Sequence, residues 1–508
     1  MIVLYHTNGA IDTIISKEGV IIDSITGSLT TALFDIAVAY PSSAIAWCET
    51  RFKSTLDHSK LKTFLENTNV MVSASQNSSS YLDAAIQYIE ENPFLKINHN
   101  VLYPTWHMST DAGGVHAHVI NAFRKEDFER EAAGYVLNAI AKSFQPQGLF
   151  CYQAPLWQET SQETNYNYKG NLHSLYRFVK QHYKLQWVFF LFICQAYFEK
   201  KWPAGALLAS LFVPKKEQMY KAPLVAETVL ETIPSIDVII PTMGRASYLQ
   251  DVLRDLSKQT HLPQKVIIVE QNADIDSISE LDFLTEESWP FQIIHKFIHQ
   301  TGACNARNIA LSHTTADWVF FADDDIRFEA GLLLKGLKAL QGLGVQCIAM
   351  SCLQKEEQQT FTKIVQWSSF PSGAAIVSGT LSRKLNFNTA YEHGYGEDTD
   401  YGMQLRNAGA DVIYHPEVAL VHLKAPVGGF RKKIVKEWEK KEQRPKPSPT
   451  VMLYRLTHTT KKQLQGYKLR LFLRQLKRVP LVRKLSYFKA FKQQWNTSVK
   501  WANYLRKQ

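Results

Sequence analysis

Apolar positions in the first part of the chain switch between two periods. IVLYH and GVIID are short apolar runs separated by Asn8-Gly9, a turn signal that predicts two paired strands. LTTALFDIAVAY and KLKTFLENT then carry helical spacing, whereas SAIAWCE and VMVSAS read as strands. This alternation predicts an α/β layer structure over residues 1–225. The most apolar run, Leu185 to Phe198, is LQWVFFLFICQAYF and stops at Glu199-Lys200-Lys201. Spanning a membrane takes about 20 apolar residues, so a buried or interfacial helix is expected here.

A short linker, KAPLVAETVLETIP, precedes a second alternating region over 233–425. SIDVII, QKVIIVEQ, FQIIHKF and WVFFADDD read as strands, and LQDVLRDLSKQ and ACNARNIALS as helices. Continuous β-branched runs such as DVII and KVIIVE suit a parallel sheet buried on both faces. The expectation is a doubly wound α/β domain that binds ligand at the carboxyl ends of its strands. Residues 426–508 form a third region, where Leu485, Phe488, Phe491, Trp495, Val499 and Ala502 recur at helical spacing.

Charge separates the regions further. The third carries 23 Lys and Arg against 3 Glu, and this +20, set against the chain's +10, leaves −10 for the rest. A basic amphipathic helix of this kind fits either an anionic membrane surface or packing on the domain before it with a solvated basic face. The six cysteines, Cys48, Cys151, Cys194, Cys304, Cys347 and Cys352, form no CxxC pair, which fits a reducing compartment. MIVLYHTNGA has no positive segment leading into a long apolar stretch, so no signal peptide is expected. A cytoplasmic protein, peripheral at the inner membrane face, is the expectation.

The chemistry concentrates in the second region. WVFFA runs into Asp323-Asp324-Asp325, a buried strand with three carboxylates at its tip. Like charges so placed raise one another's pKa unless a cation neutralises them, and Mg²⁺ or Mn²⁺ suits carboxylate and diphosphate oxygens. A helix-capping acidic cluster is the competing reading, which the apolar strand weakens. Glu397-Asp398-Thr399-Asp400 follows Gly394 and Gly396 at a helix start, where an ionised carboxylate is favoured and can accept a proton. Arg307 follows a small-residue loop at a helix start, an arrangement that suits an anion. Thr242, Gly244 and Arg245, then Glu270, Gln271 and Asn272, close two strands at ligand-binding positions. His422 ends a further strand and is a candidate metal ligand.

In this order and spacing, residues 236–422 resemble the family-2 inverting glycosyltransferases of GT-A fold. The matching pieces are Val238 to Thr242, Glu270, the Gly302, Ala306, Arg307, Asn308 segment, Asp323 to Asp325, GAAIVSGTLSRK, Glu397 to Asp400, and His422. The resemblance implies a doubly wound, mixed or parallel GT-A sheet between an N-terminal α/β domain and a basic helical tail. It implies Asp323, Asp325 and His422 as ligands of a divalent metal, Mn²⁺ or Mg²⁺. Pro241, Thr242, Glu270, Asn272, Arg307, Asp323 and Asp324 would bind a nucleotide-sugar donor. Asp398 would be the general base with Glu397 beside it, and the acceptor a glycan or lipid-linked hydroxyl in surface polysaccharide assembly. Nucleic acid is not an expected partner. The strand that usually ends in paired Asp ends here in Glu270-Gln271, which leaves the base open, and Trp367 and Tyr395 are the aromatic acceptor candidates.

The first 225 residues offer less. His107, Asp111, His116 and His118 cluster in TWHMSTDAGGVHAHV without the spacing of a known zinc class. GGVHAHVINAFRKEDF, followed by SLYRFVKQHYKLQWVFF, is analogous to the second half and tail of a family-2 enzyme, which points to a degenerate transferase domain lacking the Asp motif. The competing functions are a nucleotidyltransferase, which would want a Gly-rich basic signature at its first strand, and a non-catalytic sugar- or nucleic-acid-binding protein.

Overall fold

Asn8 and Gly9 both take positive φ, 54° and 82°, and so reverse the chain in two residues. The computed structural model describes residues 1–507 apart from 77–79, 159–168, 216, 224–229, 231, 427–434, 441–443 and 481–483. Much of the expected linker and parts of the third region therefore lie outside the described residues. The tight turn pairs β1 (Ile2–Thr7) with β2 (Ala10–Ile15), placing Ala10 opposite Thr7. The second strand is thus AIDTII and not GVIID, of which Ile21 alone forms an isolated bridge, to Ile15.

Strands β3 (Ala44–Glu49), β4 (Val70–Ala74), β5 (Tyr103–Pro104), β6 (Ala112–His116) and β7 (Phe150–Gln153) complete a seven-stranded sheet ordered β2-β1-β3-β6-β4-β7-β5. A second sheet holds β8 (Ile236–Thr242), β9 (Lys265–Gln271), β10 (Gln292–Ile298), β11 (Trp318–Ala322), β12 (Ile326–Arg327), β13 (Cys347–Gln354), β14 (Val365–Gln366), β15 (Ala374–Ser378) and β16 (Ile413–His422). Its order is β10-β9-β8-β11-β15-β13-β16-β12, with β14 on β16. The run β10-β9-β8-β11 is parallel, and β8 and β9 are buried on both faces, as their unbroken apolar pattern requires.

The two sheets share a five-strand topology. β1-β3-β6-β4-β7 and β8-β11-β15-β13-β16 are reached in the same chain order and pair in the same directions: parallel, antiparallel, antiparallel, parallel. In the two registers Trp47 faces Gly113 where Phe321 faces Ala375, so Glu49 occupies the strand-end position of Asp323. Among the described residues the first sheet has no counterpart of β9 and β10.

The chain divides into two units, one of residues 1–224 with 459–475 and one of residues 225–458 with 476–508. The tail is helical, as Pro449–His458, Lys461–Leu476 and Lys484–Leu505, but it is shared between the units and is no body of its own. Its last helix packs against Pro449–His458, burying Phe491, Trp495, Ala502 and Leu505. Of the apolar stripe read from the sequence, Phe491, Trp495 and Ala502 are buried, whereas Phe488 is exposed.

Candidate active site

The second unit gathers acids at the carboxyl ends of β8 and β11. Four apolar residues of β11 are buried and carry the chain to Asp323-Asp324-Asp325, whose three side chains take three different directions. Asp324 turns inward: Thr242 Oγ1 donates to its Oδ2 at 2.8 Å and Arg245 to its Oδ1 at 2.7 Å. Burial pushes its carboxyl up to about 6 against the pull of Arg245. Asp324 is thereby tied to the end of β8. Asp323 points outward and accepts from Arg307 Nη2 at 3.0 Å. Space for it exists because residue 373 is glycine; a Cβ there would lie 2.1 Å from Asp323 Oδ2.

Asp325 faces His422, with Oδ1 3.3 Å from Nε2, while its Oδ2 accepts from the Ala425 amide at 2.9 Å and lies 3.2 Å from Arg245. Burial alone would raise the Asp325 carboxyl; hydrogen bonds from His422 and Ala425 and the charge of Arg245 outweigh it and leave it below its ordinary value. The same hydrogen bond raises His422.

The expected metal triad thus divides into an Asp325–His422 pair and an Asp323 committed to Arg307, and among the described residues no group of three such side chains forms a metal cluster. The pair still fits a divalent cation. Two donors on one ion with bonds of about 2.1 Å stand about 3 Å apart, and Mg²⁺-type ions usually take only one or two protein carboxylates beside substrate phosphates.

On the other side, the helix Glu397–Asn407 begins at Gly396, which takes φ 118°, and carries Glu397, Asp398 and Asp400 in its first turn. Asp400 is structural: His458 Nε2 lies 2.7 Å from its Oδ1 and Gln404 donates to its Oδ2 at 2.8 Å. Glu397 Oε2 and Asp398 Oδ1 are buried without a partner. Burial raises both carboxyls, opposed at Asp398 by Arg307 and Ser372 and reinforced at Glu397 by Asp398. Arg307 is buried over the Phe387 ring, and its Nε also lacks a partner. Three unpartnered polar atoms thus belong to residues that share one electrostatic neighbourhood with Asp323.

Several expected contacts are absorbed by the protein itself. The Glu270 carboxylate accepts from Ser279 Oγ at 2.6 Å and the Glu280 amide at 3.0 Å, and faces His295 at 2.9 Å. Asn272 accepts from the Asp274 amide in a local turn. Pro241 precedes Thr242 at the end of β8.

The helix Ala303–Ser312, expected to present its N-terminus to an anion, is already capped. Glu392 accepts from the Cys304 and Asn305 amides at 3.1 and 2.9 Å, and Gln271 accepts from Gly302 at 2.6 Å. Arg307 lies one turn in on the same helix. Glu392 carries no motif of its own; it lies 88 residues from Cys304, and only folding makes it a cap. Arg245 and Gln271 stand at strand ends, where their sequence position was a usable signal.

In the first unit the His107 group is dispersed. His107 is buried with its pKa pushed down to about 4 by burial, Asp111 accepts from Ser75 and Gln76, and His116 bonds the Leu65 carbonyl.

A doubly wound mixed sheet with strand-end acids facing a second acidic helix start defines a GT-A glycosyltransferase domain. Residues 237–400 match the model for "Glycosyl transferase family 2", and this segment is a family-2 glycosyltransferase domain. No curated protein matches the chain.

Solved structures with similarity include S. aureus TarS residues 1–349, at 17% identity and TM-score 0.32, covering 37% of this chain and 60% of that one. The same fragment with UDP-GlcNAc gives 16% and 0.34, covering 51% and 81%. A Pyrobaculum calidifontis mannosyltransferase, PcManGT, with GDP-Man and Mn²⁺, gives 18% and 0.30, covering 54% and 74%.

Proposed function

We propose that the second unit transfers a sugar, with inversion, from a nucleotide-sugar donor to a hydroxyl of a glycan or lipid-linked acceptor, in surface polysaccharide assembly. The observation that carries this reading is Asp398 Oδ1, buried, unpartnered and influenced by both Arg307 and Asp323. A carboxylate so held can take the acceptor proton while that oxygen attacks the anomeric carbon and the diphosphate leaves on the opposite side. Arg307 Nε–H donates to the leaving diphosphate, where fixed positive charge acts on developing negative charge. Asp325 and His422 would hold a divalent cation, which would supply further charge for that leaving group. Titrating UDP-, GDP- and dTDP-sugars with Mn²⁺ or Mg²⁺ tests the reading. Asp398→Asn is expected to lower kcat by about 10²–10⁴, and Asp325→Ala to abolish the response to metal. Nucleotide release unchanged in both variants would place the chemistry elsewhere.

We infer that the first unit is a transferase-like core without transfer chemistry, which gives residues 1–224 a domain identity. Its five-strand core repeats that of the second unit, and Thr7-Asn8-Gly9 repeats the Thr242-Met243-Gly244 strand end, with Gly9 and Gly244 both at positive φ. In the place of the acidic triplet it has Glu49-Thr50-Arg51, and Glu49 is closed off by His6 at 3.0 Å. The helix preceding β7, Ala133–Phe144, has no acid in its first turn. A donor-turnover assay on Glu49→Gln, with activity retained, is the expected outcome; loss of turnover with the fold intact would give this unit a chemical role.

A further inference from the structure

The apolar run Leu185 to Phe198 forms the helix Leu185–Cys194, extended by one wider turn through Glu199. One side is buried through Val188, Leu191 and Cys194. The other side is exposed and apolar: Leu185, Phe189, Ile193 and Tyr197 recur every fourth residue, the spacing that keeps them on one face. The neighbouring helix Ala204–Leu211 repeats the pattern, with Ala204, Gly205, Leu208 and Ala209 exposed. Trp202, 72% exposed, leads into it and Phe212, 87% exposed, follows it. Residues 185–198 and 202–213 contain no charged side chain.

Cations frame this face. Lys184, Lys200, Lys201 and Lys215 are exposed at the ends of the two uncharged stretches. Glu199, between them, is paired with Lys462 and Lys201, and Glu217 is the next acid along the sequence. Aromatic and aliphatic anchors ringed by lysine are the composition of a surface that lies in the headgroup layer of an anionic bilayer. A second copy of the same face would bring like charges together. Among the described residues no helix is long and apolar enough to cross a membrane, so the contact is with the surface.

We propose that the exposed face of Leu185–Cys194 and Ala204–Leu211 docks the protein on an anionic lipid bilayer. The surface lies wholly in the first unit, and its test needs no sugar donor, so it stands or falls separately from the transferase reading. The experiment is sedimentation of the purified full-length chain with phosphatidylcholine vesicles, with and without phosphatidylglycerol. The expected result is pelleting with the anionic vesicles, reduced about tenfold or more in Phe189→Glu/Phe212→Glu, since each charge would enter the apolar layer. Lys200→Glu/Lys201→Glu, which leaves the apolar face intact, is expected to remove the preference for phosphatidylglycerol. Unaltered thermal melting of both variants separates these effects from unfolding. No pelleting with either vesicle, pelleting unchanged by both variants, or a concentration-dependent dimer in light scattering that Phe189→Glu/Phe212→Glu dissolves would each overturn the proposal.

Discussion

At Gly373 the absence of a single methyl group decides where a carboxylate can stand. A Cβ would lie 2.1 Å from Asp323 Oδ2 and 2.3 Å from its Cγ. Gly373→Ala is therefore expected to rotate Asp323 away from Arg307 and to reduce kcat/KM far more than it lowers the melting temperature, which paired kinetics and calorimetry would show. The buried acids make a second prediction at this scale. The folded Asp398 carboxyl lies above its ordinary value of 3.8, chiefly from burial, and a base must be ionised to act. The acid limb of the kcat/KM profile should accordingly lie above the ordinary aspartate range and disappear in Asp398→Asn; it reports the Asp398–Glu397 pair jointly. The same raised pKa means that ionising Asp398 opposes folding: its contribution is fully present below the unfolded value and is lost as pH rises through the folded one.

At the scale of elements, the helix Ala303–Ser312 owes its start to residues distant in the chain. Glu392 supplies the capping oxygens, and Gly302, at φ 152°, would collide with Glu392 if it carried a Cβ, at 2.2 Å from its carboxyl carbon. Glu392→Ala is expected to cost about 0.5–2 kcal/mol of stability, as for loss of a cap. It should also raise KM for the donor, because Arg307 rides on this helix; chemical denaturation and donor titration measure the two effects. The β1–β2 hairpin shows the reverse dependence, since Asn8-Gly9 fixed both the turn and its partner strand locally.

For the whole molecule, the tail's last helix, Lys484–Leu505, packs within the second unit as well as carrying positive charge. Trp495, 5% exposed, and Phe491 pack within that unit. Trp495→Ala is expected to destabilise by about 3–5 kcal/mol, the usual cost of emptying a large aromatic site, read as a lower denaturant midpoint. Trp367→Ala, by contrast, removes one partner of a stack with Tyr414, 4.7 Å between ring centres, on a half-buried loop and should cost less.

Sequence alone determined the features that depend on near neighbours in the chain. Apolar runs of β-branched residues gave the buried parallel strands, and the strand ending in Asp323-Asp324-Asp325, the Glu397 helix start and Arg307 were legible because each is a local pattern with its own chemistry. What each carboxylate does was decided only in three dimensions, because a carboxylate is free or engaged according to donors that arrive from elsewhere. Thr242 and Arg245 take Asp324, 82 and 79 residues away, while His422 and Ala425 take Asp325 from the far end of the sheet. The apolar stripes obeyed the same division. Helical spacing marked both the tail and Leu185–Phe198 as amphipathic or apolar, yet periodicity states only that a face exists. Packing decided that Phe491, Trp495 and Ala502 of the tail are buried while Phe488 stays exposed, and that the face at Leu185, Phe189, Ile193 and Tyr197 is open.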